Sequence, residues 1–328
     1  MKSIVTGGAG FIGSHLVEQL IKMKHKVIVL DNFSTGREEN LSHLKNKIKL
    51  VKCDISNKGK WTNEFKNTDW VFHIAALADI VPSIQNPVNY FNSNVIGTFN
   101  VIRSCKINKV KRVIYLASAS CYGLSKKYPT TEKAEIKPEY PYALTKLLGE
   151  QIVMHWSKIY GVPSLSLRLF NVYGTRSRTS GTYGAVFGVF LAQKLADKPL
   201  TIVGNGNQTR DFTYISDVVN AIICAVKSDK DGEIYNVGTG RPISVNKIAK
   251  LIGSKKIVYI SKRPGEPDHT QADIGKIKKD LGWKPKVNIN VGIRIILKNI
   301  SYWKKAPVWT PSSIKNVTKE WFKILNKR

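Results

Sequence analysis

The sequence predicts an α/β fold, a doubly wound parallel sheet with a smaller C-terminal region interleaved with it. Three observations carry this. Short apolar strands alternate with helical apolar spacing from the first residues onward. The strands are near-continuous apolar runs, as a sheet covered on both faces requires. A glycine-rich turn joins the first strand to the first helix, and the second strand ends in an acid.

The elements follow in order. SIVTG reads as a strand, FIGSHLVEQLIKM as an amphipathic helix and KVIVLD as the second strand. KIKLVKCD, DWVFHIAA and RVIYLAS are three more, with helical spacing in NYFNSNVIGTFNVIRSCK between the last two. PYALTK opens a further helix behind a proline. After about residue 170 the pattern loosens into GTRSRTSGTYG, GNGNQTRD and GTGRP, with shorter elements between them. The expected division is a cofactor-binding domain over 1–170 and a mainly substrate-binding region over 171–328, some of whose segments return to the sheet. The chain closes on SYWKKAPVWTPSSIKNVTKEWFKILNKR, whose Trp303, Trp309 and Trp321 are expected to pack on the protein's own body rather than on a partner or a membrane surface.

Composition bounds the rest. With 328 residues, 42% of them hydrophobic, the chain can bury a sizeable core in one large or two moderate domains. Cys53, Cys105, Cys121 and Cys224 lack metal-ligand spacing, so reduced structural thiols are expected and no metal. The N-terminus carries no secretory pattern, and no run approaches the ~18 apolar residues that span a bilayer. A cytoplasmic protein without a membrane partner is the expectation. The net charge is +29, from 52 basic and 23 acidic residues. The lysines are spread along the chain and no nucleic-acid-binding motif accompanies them, so the charge reads as surface composition rather than a nucleic-acid footprint. Such a field would still steer small anions inward.

TGGAGFIG, Thr6 to Gly13, lies between strand and helix. Gly7, Gly10 and Gly13 fall three apart, and Gly8, Gly10 and Gly13 also satisfy the dinucleotide pattern. Residues without a Cβ let backbone N–H groups approach a pyrophosphate, and the helix N-terminus favours the anion. Asp31 ends the next strand, where a carboxylate accepts from the adenosine ribose hydroxyls and repels a 2′-phosphate. The cofactor expected is NAD, with Arg37 the one nearby residue that could favour NADP. Asp54 could meet the adenine amino group or simply cap its loop.

Tyr142 and Lys146 lie one turn apart on the same helix face. A free phenol titrates near ~10. A nearby ammonium, with the positive nicotinamide, is expected to favour the phenolate and make Tyr142 a base at neutral pH. Lys146 can also hold the nicotinamide ribose. Ser118, ending RVIYLAS, could bond the same substrate hydroxyl. A base that takes an alcohol proton while hydride leaves the same carbon is what alcohol oxidation by NAD requires.

These segments, with DN at 31–32, ASASCYG at 117–123, LRLFNVYG at 167–174, QTRDFTYISDV at 208–218 and RPGE at 263–266, together resemble the extended short-chain dehydrogenase/reductases of the NAD-dependent sugar-nucleotide epimerase/dehydratase family over nearly the whole chain. The resemblance implies an N-terminal Rossmann domain and a C-terminal region that grips a sugar nucleotide. It implies a catalytic Ser118, Tyr142 and Lys146. Cofactor contacts are implied for Gly7, Gly10, Phe11, Ile12, Gly13, Asp31, Asn32, Ser34, Thr35, Gly36, Asp54, Ile55, Ala75, Ala76 and Asn94. Asn171, Arg210 and Arg263 would meet the substrate diphosphate, where guanidinium geometry suits phosphate. Glu266 would bind the nucleotide ribose. Outside this context each arginine would read as a surface ion-pair partner.

Dehydratases that resemble this family carry Asp-Glu directly after the catalytic hydroxyl residue, and decarboxylating members a Glu two places after it. Here those positions are Ala119 and Ser120, which leaves the reversible oxidation and implies a C4 epimerase. The family's gate position, seven places after Arg263, holds Thr270, small enough for an N-acetyl group. ASASCYG is similar to the serine-rich form in UDP-N-acetylhexosamine epimerases. UDP-GlcNAc/UDP-GalNAc is the expected substrate pair, with UDP-glucose/UDP-galactose also accepted. A UDP-glucuronate 4-epimerase, another dehydratase or reductase of this fold, and a non-catalytic NAD- or nucleic-acid-binding protein are the alternatives. The resemblance also implies a homodimer through the helices at 86–105 and 142–160.

Overall fold

The computed structural model describes residues 1–177, 186–254 and 256–325. Residues 178–184 of the loop GTRSRTSGTYG lie outside them. Strands β1 (Lys2–Thr6), β2 (Lys26–Asp31), β3 (Ile48–Lys52), β4 (Trp70–His73), β5 (Arg112–Ser118) and β6 (Ser164–Leu169), together with Glu233–Val237, form one parallel seven-stranded sheet. From one edge the order is Glu233–Val237, β6, β5, β4, β1, β2, β3, so the chain reverses its direction of growth between β1 and β4. At such a switch point the loops beyond the strand ends part and leave a crevice.

Alternation along each strand sends neighbouring residues to opposite faces. Ile4, Ile28, Leu30, Val113 and Tyr115 join one buried layer, while Val5, Val27, Val29, Ile114 and Leu116 join the other. Both layers are helix-covered, which is why the strands read as continuous apolar runs. α1 (Phe11–Lys22) and the helix Ile215–Lys227 pack on one side, and α4 (Gly97–Ile107) and α5 (Pro141–Tyr160) on the other. β3 is one of the two edge strands; exposed Lys49 and Lys52 blunt it against further pairing.

The segment expected to be helical, NYFNSNVIGTFNVIRSCK at 89–106, divides. After α2 (Ile80–Gln85) come α3 (Pro87–Phe91), a π turn at Asn92–Ile96 and then α4. The wide turn places Asn94 inward, at 1% exposure. α5 starts with Pro141 at its first position, where a missing N–H costs nothing, and stops at Gly161 in the left-handed conformation (φ 62°).

Beyond β6 three short strand pairs build the other wall of the crevice. Asn171–Tyr173 pairs with Phe212–Tyr214, Thr209–Arg210 with Ile243–Ser244, and Leu200–Val203 with Ile257–Ile260. Trp303 and Trp321 are buried and Trp309 packs against the core, so the aromatic tail folds onto the body as its composition implied. Among the described residues no helix is long and apolar enough to cross a membrane.

Candidate active site

The glycine turn is built by close backbone approach. Gly7 adopts φ 68°, and a Cβ there would lie 2.7 Å from the Ala75 backbone. A Cβ on Gly13 would press into the carbonyl of Gly7 and the Cα of Gly8. Gly10 differs: a Cβ would meet only the Gly7 oxygen, at 3.2 Å. Gly10 also caps α1 without a side chain, so the helix N-terminus is left to the backbone. A bare turn, an open glycine and an uncapped helix start fit the pyrophosphate of a dinucleotide. Phe11 packs edge-on to His15 just behind this turn.

Asp31 is 7% exposed and accepts from the N–H groups of Ala9 (2.9 Å) and Phe33 (2.8 Å). Burial raises its carboxyl above the usual range despite these two bonds. A Cβ on Gly36 would lie 2.8 Å from Asp31 Oδ1, so that loop packs directly on the acid. Asn32 is exposed and accepts from Ser34 N–H, with Thr35 following in the same loop. Asp54 caps its own loop through Ser56 N–H and Oγ–H; burial opposes its charge, but these bonds and Asn32 hold it below the usual carboxylate range. Ile55 is buried and its carbonyl accepts from Asn100. Arg37 pairs with Glu39 and lies over the Tyr302 ring. Asn94 bridges within the protein, to both backbone groups of Leu77 and to Thr145 Oγ1.

Beside this groove lies a cavity of 520 Å³. Ile12 and Ala76 line it from the cofactor side, and Ser118, Tyr142 and Lys146 from the sheet edge and α5. Ala75 stands one residue back, its N–H bonded to Thr6 Oγ1. Asn171, Arg210, Arg263, Glu266 and Thr270 line the opposite wall. The structure therefore brings the predicted catalytic and substrate residues to one cavity. Gly7, Gly10, Gly13 and Asp31 lie along the adjoining strand ends and do not line it.

Ser118 Oγ accepts from Ser120 N–H (3.2 Å) and Ser120 Oγ–H (2.9 Å). Its own proton is thus free to be donated onward, and Tyr142 lines the same cavity. Burial raises the Tyr142 pKa; the Ser118 side chain opposes this, and the nearby Cys121 adds to it. Lys146 is 5% exposed, its ammonium 4.4 Å from the centre of the Tyr115 ring. Burial lowers its pKa to about 7, against the pull of Glu150. A site dry enough to strengthen charge pairing also penalises each charge, and desolvation is the larger effect on both groups.

Glu150, one turn beyond Lys146, is fixed from below. It pairs with Arg168 at 2.6 Å and accepts from Ser166 at 2.8 Å, all three buried. His73 is locked between Thr6 and Thr98, its pKa lowered to about 3 by burial and then by Lys146.

On the far wall Arg210 donates to the Thr209 carbonyl, and burial lowers its pKa. Arg263, 9% exposed, pairs with Glu266 at 2.9 Å. Thr270 Oγ1 accepts from Asp211 N–H. Sequence reasoning missed Tyr140, whose ring lies parallel to Tyr142 at 6.5 Å, and the edge-on pair Tyr128–His269. Tyr140 carried a local signal, the extended residue before Pro141. Trp321, also on the cavity, carried none.

Residues 3–238 match the NAD dependent epimerase/dehydratase family. A UDP-glucose 4-epimerase of Mycolicibacterium smegmatis is 34% identical over 303 residues, covering 89% of this chain and 96% of that protein. The UDP-N-acetylglucosamine 4-epimerase of Methanobrevibacter ruminantium superposes with a TM-score of 0.85 at 31% identity, over 91% of this chain and 98% of that one. The UDP-glucuronic acid 4-epimerase of Bacillus cereus, solved with its substrate and NAD, gives 0.84 at 32%, over 93% and 99%. With its glycine turn, Asp31 and a Ser–Tyr–Lys set on one cavity, the chain belongs to the NAD-dependent epimerase/dehydratase family of sugar-nucleotide enzymes.

Proposed function

We propose that this protein inverts C4 of a UDP-sugar through a transient 4-keto sugar. We assign UDP-GlcNAc/UDP-GalNAc as the preferred pair, with UDP-glucose/UDP-galactose also accepted. The observation that carries the reading is the meeting of Ser118, Tyr142 and Lys146 on one cavity, with Ala119 and Ser120 following Ser118 in sequence. Ala119 packs against the apolar cluster of Cys121 and Tyr122, and Ser120 only supports Ser118. Neither can move the protons that water loss demands.

Tyr142 takes the 4-OH proton and later returns one, with Ser118 stabilising the phenolate by donating to it. NAD, when bound, accepts hydride from C4 and gives it back. The glycine turn and Asp31 would hold the dinucleotide, and Lys146 its nicotinamide ribose. Arg210, Arg263 and Asn171 would hold the substrate diphosphate, and Glu266 the nucleotide ribose. Anchoring at the diphosphate lets the 4-keto sugar turn about its phosphate bonds and present its other face. Thr270 leaves room for an N-acetyl group.

A second reading, UDP-glucuronate 4-epimerisation, is favoured by the Bacillus cereus likeness and the +29 charge. Proton NMR of UDP-GlcNAc, UDP-glucose and UDP-glucuronate, each incubated with the enzyme, separates these. A C4 epimer from UDP-GlcNAc supports the first reading and one from UDP-glucuronate alone the second. A deoxy or decarboxylated product sinks both. Thr270→Tyr should remove activity on UDP-GlcNAc and spare UDP-glucose.

We further infer a division near residue 170 and a homodimer in the cytoplasm. Apolar side chains remain exposed on α3–α4 and α5, among them Val88, Phe91, Phe99, Leu144 and Ile159. Sedimentation of wild type against Phe99→Glu tests the dimer: a variant that sediments like wild type, or a monomeric wild type, removes it.

A further inference from the structure

The last described helix, Pro311–Leu325, lies beyond the family match, yet it reaches the cavity. Trp321 is 2% exposed and lines that cavity. Its indole N–H donates to the Pro264 carbonyl at 2.8 Å. The Arg263 guanidinium carbon lies 5.4 Å from the centre of its ring. Trp321 and Leu325 also pack with Val81, Ile80 and Ile84 of α2. A Cβ on Gly265, between Pro264 and Glu266, would lie 3.3 Å from Leu325 Cδ1. One helix therefore fastens the Arg263–Glu266 loop to α2, an element from the cofactor half of the chain.

We propose that Trp321 is a positioning residue for nucleotide recognition: its indole face and its bond to Pro264 preset Arg263 for the substrate diphosphate. The inference rests on the reading of Arg263 as a diphosphate residue. Contacts to this guanidinium and to its loop restrict it. Glu266 takes an edge, the indole takes a face, and the Pro264 bond fixes the backbone beside it. An arginine ordered in advance loses less rotamer freedom when the anion arrives, so affinity rises without a new ligand contact. A cation over an indole is also the strongest of the cation–π pairings.

The test measures binding of UDP and of NAD by calorimetry on wild type, Trp321→Ala, Trp321→Phe, Arg263→Ala and the double variant Arg263→Ala/Trp321→Ala. Trp321→Ala should weaken UDP about 5- to 10-fold and leave NAD within about 2-fold, the size expected for one desolvated cation–π contact. Trp321→Phe, which keeps an aromatic face, should recover most of the loss. In the Arg263→Ala background, removing Trp321 should cost less than about 2-fold more, because the effect passes through Arg263. In turnover, KM should rise with kcat held. Equal loss of UDP and NAD affinity, or a full additional loss in the Arg263→Ala background, overturns the proposal and makes the helix a general prop. Unchanged UDP affinity in Arg263→Ala overturns the reading of Arg263 itself, and the proposal with it. If Trp321→Ala fails to fold, Trp321→Phe and Trp321→Leu carry the same comparison.

Discussion

Ser118 and Tyr142 face one cavity where β5 ends and α5 begins, and Ser118 opposes the burial that raises the phenol's pKa. Tyr142→Phe removes the proton acceptor and should lower kcat by about 10²–10⁴ while NAD still binds. Ser118→Ala removes a stabiliser of the phenolate, so the acid limb of the kcat/KM profile should move to higher pH. An unmoved limb would mean that Ser118 does not act on Tyr142.

Lys146 makes stability depend on pH. Its folded pKa, about 7, lies below the ordinary lysine value of 10.5. Between these values the unfolded chain binds more protons than the folded one, so stability rises with pH across the window, and the burial penalty is fully present below about 7. Lys146→Met lacks this group. From pH 7 to 9 the wild type should gain on the order of 2 kcal/mol relative to the variant in urea unfolding. Parallel curves would show an ammonium that is well solvated in the fold.

Two glycines of one turn should fail differently. Gly13→Ala forces a Cβ into the Gly7 carbonyl and should lower the Tm by several degrees along with NAD binding. Gly10→Ala meets only one atom at 3.2 Å, so it should fold with nearly the wild-type Tm and lose NAD affinity alone. Thermal melts with and without NAD distinguish the two; a Gly10→Ala protein that binds NAD as wild type does would move the pyrophosphate elsewhere.

Glu150→Gln leaves the Arg168 charge buried with a neutral partner. A buried pair broken on one side costs roughly 3–5 kcal/mol, which denaturant unfolding should show. Replacing Glu150 and Arg168 together by Gln and Met should recover much of that loss. If the single change costs under about 1 kcal/mol, the pair is hydrated.

The sheet was legible because its strands are buried on both faces, which leaves runs such as KVIVLD with little alternative. The glycine turn was legible because close approach at Gly7 and Gly13 permits no other residue. Asn94 was visible as a helix residue, but the π turn that aims it at Leu77 and Thr145 leaves no mark in apolar spacing. The spacing of Tyr142 and Lys146 showed their adjacency and not their dielectric surroundings. Trp321 was legible as a core residue; its contact with Pro264 crosses 57 residues and depends on tertiary packing alone.

The most direct test of the central claim is the fate of the hydrogen at C4. UDP-GlcNAc deuterated at C4, incubated with the enzyme and followed by NMR, should become a mixture with its C4 epimer in which both sugars keep the deuterium at C4. An epimer that has exchanged its label with water, or a product that has lost water or carbon dioxide, would contradict the account.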